Sequence, residues 1–181
     1  MNENMVRKLS TKEIHKYNKK RTKNSLFHET VVILDNIRSM HNVGSFFRTS
    51  DAFGIKKIYL CGLTPKPPRP EISKSALGAE EFVSWHSSDN TLSVIKELKL
   101  IGYLIIGIEQ TTESVLLHQY KLETSNKYAL IFGNEVHGIQ DDVLKECDIT
   151  VEIPQFGDKH SFNVSVSYGI GAYAFFEKFS I

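Results

Sequence analysis

The chain has 181 residues, 41% of them hydrophobic, which is enough to bury one sizeable core and too little for two comfortable domains. Its 22 Lys and Arg nearly cancel its 21 Asp and Glu, so whole-chain charge gives no reason to expect a polyanionic partner. Cys61 and Cys147 lie far apart without C-x-x-C spacing, and no apolar run nears the roughly 20 residues that cross a bilayer, so neither a disulfide framework, a metal centre nor a membrane anchor is expected, and a soluble cytoplasmic protein is.

Charge is spread unevenly. Residues 1–23 carry eight basic side chains (Arg7, Lys8, Lys12, Lys16, Lys19, Lys20, Arg21, Lys23) against Glu3 and Glu13, net +6, which leaves −5 for the remainder. Residues 1–29 therefore read as a basic, helical extension, either an arm that contacts phosphates or a solvated helix. Beyond it, apolar runs rich in β-branched residues recur at Thr30–Leu34, Lys57–Cys61, Glu81–Trp85, Tyr103–Ile108, Tyr128–Phe132 and Ile149–Ile153. Several are nearly continuous, as in strands covered on both faces. Helical spacing fills the intervals at Val43–Phe53, Leu92–Leu100, Asp141–Cys147 and Phe162–Phe179. The alternation predicts one α/β domain over residues 30–181, a mostly parallel sheet sandwiched by helices. Between Leu63 and Pro70 four prolines predict a stiff loop, whose Lys66 and Arg69, with Lys74 just beyond, either touch a nucleic acid backbone or are simply solvated.

Three polar stretches fall where strands end, the edge at which open α/β sheets hold ligands. After the first strand, Asp35–His41 leads into a helix for which Asn42 is the expected cap. Gly44 would let another backbone come close, and Arg48 follows in the second turn among Phe46, Phe47 and Phe53. An ordinary capped helix with a surface arginine shares these features. After Phe132, the glycine-framed turn Gly133-Asn134-Glu135-Val136-His137-Gly138 either exposes backbone N–H groups to a ligand or uses Asn and Gly for turn geometry alone. The third stretch is Ile153-Pro154 followed by Ser161-Phe162-Asn163-Val164-Ser165, with a last helix expected from about Ser161, capped by its hydroxyl. Within that helix Gly169-Ile170-Gly171-Ala172-Tyr173-Ala174 matches G-x-G-x-x-A, yet the sequence to Ile181 leaves no room for the unit of about 30 residues that a dinucleotide fingerprint opens. Gly169 and Gly171 read instead as sites of close helix packing.

In order and placement, N-x-G-x-x-x-R (Asn42, Gly44, Arg48), G-N-E-x-x-G (Gly133, Asn134, Glu135, Gly138) and I-P with S-F-N-V-S resemble the three motifs of the SpoU/TrmH-type RNA ribose 2′-O-methyltransferases of the SPOUT superfamily, over about Thr30 to Phe179. Phe162 stands where that family usually has Leu, and Ser167 where Ala is common; Pro70–Ala79 also resembles a family loop. The resemblance implies an α/β domain closed by a carboxyl-terminal trefoil knot, a homodimer, and S-adenosylmethionine held by backbone at Ile108, Gly133, Ile153 and Phe162 beside the side chains of Asn134 and Ser161. It implies methyl transfer to a ribose 2′-hydroxyl of RNA, tRNA before rRNA, with a non-catalytic RNA-binding member of the same fold as the alternative. Arg48 is the implied catalytic residue. It would act either as a base helped by an RNA phosphate or, since a guanidinium keeps its proton above about pH 12, by orienting the phosphate and stabilising the alkoxide. Asn42, Glu135, Ser161 and Asn163 are implied to position Arg48 or the ribose, with Asn42 and Arg48 facing the partner subunit's cofactor.

Overall fold

The computed structural model describes residues 6–21 and 29–179; Glu3 and Lys23 of the basic extension lie outside the described residues. Within the extension, α1 (Thr11–Arg21) starts at a reciprocal cap. Ser10 N–H donates to the Glu13 carboxylate at 2.8 Å, and Glu13 N–H donates back to Ser10 Oγ at 3.4 Å.

The domain is built on seven strands, β1 (Val31–Asp35), β2 (Lys57–Cys61), β3 (Trp85–Ser88), β4 (Tyr103–Ile108), β5 (Val115–Leu116), β6 (Lys127–Phe132) and β7 (Ile149–Glu152). They form one sheet in the order β3-β2-β1-β6-β4-β7-β5, and every pairing is parallel. The helices are α2 (Met40–Phe53), α3 (Pro70–Ala76), α4 (Thr91–Leu100), α5 (Asp141–Leu144) and α6 (Val164–Phe179). Because successive strand side chains point to opposite faces, Val32, Leu34, Leu130 and Phe132 join a core with Phe46 and Phe47 of α2 and Tyr168 and Phe175 of α6. Val31, Ile33, Ala129 and Ile131 join a second core with Val94, Ile95 and Leu98 of α4 and Val143 of α5. The sheet is thus covered on both faces, which is why its central strands are nearly all apolar.

Two contacts fix α2. At Gly44 a Cβ would strike Ile72 O and Ser75 Oγ, so the missing side chain is what lets α3 lie against α2. On the opposite side Tyr168 of α6 stacks on Phe46 with centroids 4.3 Å apart, meets the edge of Phe132 at 5.2 Å, and shares a 2.6 Å hydrogen bond with Ser50.

Several expected boundaries move. The run expected as a strand at Glu81–Trp85 is a 3-10 turn at Ala79–Glu81 followed by an irregular step, and pairing with β2 begins only at Trp85. The proline-rich loop ends in the unexpected α3, which takes Pro70 in its first turn, where no amide donor is needed. Asn42 does not cap α2: the helix starts at Met40, and Ser39 Oγ accepts the Asn42 N–H at 3.3 Å. Nor does Ser161 cap α6, which starts at Val164; Asn163 Oδ1 accepts the Ser165 N–H at 2.9 Å. Neither glycine of the last helix is required for close packing: a Cβ on Gly171 would sit 3.6 Å from Phe132, an ordinary contact, and nothing lies within 4 Å of where a Gly169 side chain would be.

Candidate active site

The carboxyl ends of β4, β6 and β7 open on a cavity of about 630 Å³. Its lining includes all five residues expected to hold a cofactor, Ile108, Gly133, Asn134, Ile153 and Phe162, and also Glu135, Ser161 and Asn163. Gly133 is required there: a Cβ would strike the backbone of Gly138 and Ile139, where the turn folds back on itself through the paired N–H and C=O groups of Asn134 and Gly138, both at 2.9 Å. Four of the turn's N–H groups are taken up within the turn itself. Val136 and His137 donate to Asn134 Oδ1, Asn134 and Gly138 donate to each other's carbonyls, and Ile139 donates to Glu109.

A chain of hydrogen bonds joins the three polar stretches. The Glu135 carboxylate accepts the N–H groups of Arg38 and Ser39 and the Asn42 side-chain amide, each at 2.9 Å. Asn42 Oδ1 in turn accepts Asn163 Nδ2 at 3.2 Å. Residues that are 93 and 121 positions apart in sequence thus meet at one edge of the cavity. Partial burial opposes ionisation of Glu135, but the donors from Arg38, Ser39 and Asn42 outweigh it and hold the carboxyl below its ordinary range. Ser161 lines the cavity without entering this chain.

Arg48 is not brought to the cavity of its own chain. Six residues past Asn42 on one helix, it is turned about 120° around the axis and lies about 9 Å further along. It is exposed, and it makes no hydrogen bond or ion pair with the described residues. His41 shares its face one heptad earlier and is exposed as well. Neither thiol lines the cavity, and burial pushes Cys61 and Cys147 each up to about 12, which disfavours the thiolate. Among the described residues no cluster of three or more His, Cys, Asp or Glu could hold a metal, and no helix is long and apolar enough to cross a membrane.

Residues 29–173 match the model of the SpoU rRNA Methylase family. The chain belongs to that family. Among relatives of the SpoU chain, the 23S rRNA (guanosine-2′-O-)-methyltransferase RlmB of Neisseria meningitidis is 36% identical over 144 residues, which are 77% of this chain and 55% of the relative. An S-adenosylmethionine-bound rRNA methyltransferase from Sinorhizobium meliloti has the same fold, with a TM-score of 0.75 at 28% identity over 80% of this chain and 54% of that one. The A. aeolicus TrmH/SpoU tRNA modifying enzyme also gives 0.75, at 26% identity over 91% of this chain and 84% of that one. The chain spans little more than half the length of the curated relatives it matches.

Around the cavity stand further residues that sequence reasoning passed over. Asn36, in the left-handed region at φ 57, donates through Nδ2 to Gln140 Oε1 at 2.7 Å, accepts the Leu63 N–H at 3.0 Å, and through its carbonyl accepts Asn134 Nδ2 at 2.7 Å. The buried Asp35 beside it takes Thr91 Oγ at 2.6 Å and the Gln140 N–H at 3.1 Å. Glu109 and Gln110 follow directly on Ile108 and line the cavity. Their signal was position alone: polar residues immediately after a buried parallel strand.

Proposed function

We propose that this SpoU-family chain is an S-adenosylmethionine-dependent methyltransferase acting on the ribose 2′-hydroxyl of RNA. The observation that carries the reading is the Glu135–Asn42–Asn163 chain, because it draws three motifs of one family to the rim of one cavity. The cavity fits the cofactor. It has the volume of a small-molecule site. Its lining offers the carboxylates of Glu109, Glu135 and Asp141 and no Lys or Arg, which suits a ligand bearing a sulfonium and an ammonium and opposes a dinucleotide pyrophosphate. Ile108, Gly133, Asn134, Ile153, Phe162 and Ser161 would hold it, and when bound it supplies a methyl group on a positively charged sulfur. We further propose that the segment between β7 and α6 is threaded as the family's trefoil knot.

A ribose hydroxyl is a weak nucleophile, so the protein must align it with the methyl group and stabilise the oxyanion that develops. In this reading Arg48 is the catalytic group and serves the cavity of a second protomer in a homodimer, which its exposure on α2 supports. It orients an RNA phosphate and stabilises the alkoxide; a guanidinium is too weak an acid to act readily as a base. Asn42, Glu135 and Asn163 are positioning residues that fix the start of α2 and α6 against the cavity.

Two observations favour tRNA: the basic extension, and the likeness to the A. aeolicus tRNA modifying enzyme over 91% of this chain and 84% of that one. The identity to the Neisseria rRNA enzyme favours rRNA. Labelled-methyl transfer into total tRNA and, separately, into rRNA, followed by mapping of the alkali-resistant linkage, decides both the chemistry and the substrate. Transfer to a base, or to neither RNA, removes the reading.

A further inference from the structure

Glu109 is a cavity carboxylate that is held in place and yet still open. Its Oε1 accepts the Gln110 N–H at 3.0 Å and its Oε2 accepts the Ile139 N–H at 3.1 Å. A Cβ on Gly138 would strike Oε2, so that residue, at φ 67, leaves the space the carboxylate uses. Gln110 Nε2 reaches the His160 carbonyl at 3.5 Å, and the pair thereby spans the two loops that wall the cavity. A carboxylate has about four acceptor positions, so one direction on each oxygen of Glu109 remains for a ligand. Glu135 differs: three protein donors already converge on it.

We propose that Glu109 accepts the two hydroxyls of the cofactor's ribose and so selects an adenosine that carries a vicinal diol. This rests on the reading of the cavity as an S-adenosylmethionine site. Glu109 follows Ile108 in the chain and is bonded to Ile139, both of which line the cavity with Leu144 and supply an apolar wall suited to a purine. The ribose is one bond from that purine, whereas the sulfonium and the amino acid lie further along the ligand. An acidic side chain near a strand's carboxyl end answers a ribose hydroxyl in other open α/β sheets by the same complementarity.

The test is calorimetric binding of S-adenosylhomocysteine and of its 2′,3′-dideoxy counterpart to the wild type and to Glu109→Gln. The glutamine keeps an oxygen for the Ile139 N–H and loses the charge. Loss of a charge-assisted acceptor predicts about tenfold or more weaker binding of S-adenosylhomocysteine by Glu109→Gln, and less than about twofold change for the dideoxy ligand. Glu109→Asp, which withdraws the carboxylate by one methylene, should repeat the pattern, and the thermal midpoint of each unliganded variant shows that the fold is kept. Equal loss for both ligands makes Glu109 a loop clip only and overturns the proposal. A much larger loss for S-adenosylmethionine than for the uncharged sulfur product places the carboxylate against the sulfonium and also overturns it. If the wild type binds none of these ligands, the methyltransferase reading falls and this one falls with it.

Discussion

The two ends of the N-x-G-x-x-x-R stretch are built on opposite plans. Asn42 is 8% exposed and locked between Glu135 and Asn163, whereas Arg48, on the same helix, is exposed and has no polar partner among the described residues. A locked group sets geometry, and a free one is available to something outside the chain. The sharpest way to break this contrast is Arg48→Ala. Methyl transfer should fall at least about 100-fold, as for removal of a transition-state donor, while the thermal midpoint and S-adenosylhomocysteine affinity stay at wild-type values. Retained transfer would make Arg48 an ordinary surface residue. Mixing Arg48→Ala with Asn163→Ala protomers sharpens it further: if each site takes Arg48 from the partner, heterodimers regain one intact site, about a quarter of wild-type activity on random pairing. No recovery on mixing would place both residues in the same protomer's site.

Changes at the locked end should act on fold and activity together. Glu135→Ala leaves the Arg38 and Ser39 N–H groups and the Asn42 amide without their acceptor, which costs about 1–2 kcal/mol at this solvent-accessible rim and lowers the thermal midpoint by about 3–6 °C. The pH dependence follows from the lowered carboxyl of Glu135. Folding favours its ionised form, so the stabilisation is fully present above the ordinary carboxylate range and is lost as pH falls through the lowered folded value. Denaturation of the wild type and Glu135→Gln should therefore differ at neutral pH and converge below about pH 4. A difference that grows in acid would contradict the hydrogen-bonding account.

Much of the sheet was legible because its strands are buried on both faces. Thr30–Leu34, Lys57–Cys61, Tyr103–Ile108, Tyr128–Phe132 and Ile149–Ile153 each fall within a residue of the observed strand. The misplaced strand is the polar edge strand Trp85-His86-Ser87-Ser88, which has no continuous apolar run, and β5 was too short to leave a pattern. At the site, the motifs identified Asn42, Glu135 and Asn163, but not that they bond to one another, since such contacts are made by the fold across about a hundred residues. Asn36 and Glu109 left no signature for the same reason: each looks like an ordinary residue after a strand until its distant partners Gln140 and Ile139 are in place. The caps at Ser39 and Asn163 were missed by a few residues, the usual uncertainty of helix ends.

The smallest effect is expected on the buried side of α2, where Tyr168 meets Ser50. Both residues are fully buried, and burial raises the Tyr168 hydroxyl above its ordinary range, so at neutral pH the contact is a bond between two uncharged hydroxyls. Tyr168→Phe keeps the stack on Phe46 and leaves Ser50 unpaired, which should cost about 1 kcal/mol and about 2–4 °C in thermal midpoint. Ser50→Ala added to it removes the stranded partner and should regain part of the loss, because two apolar groups of the same shape leave nothing unsatisfied. Neither atom lines the cavity, so transfer should stay within about twofold of wild type if Arg48 needs only to be carried on an intact helix. A tenfold loss of transfer with so small a change in midpoint would show instead that the seating of α2 on α6 sets where the guanidinium points, and that the free end of the motif depends on packing as strictly as the locked one.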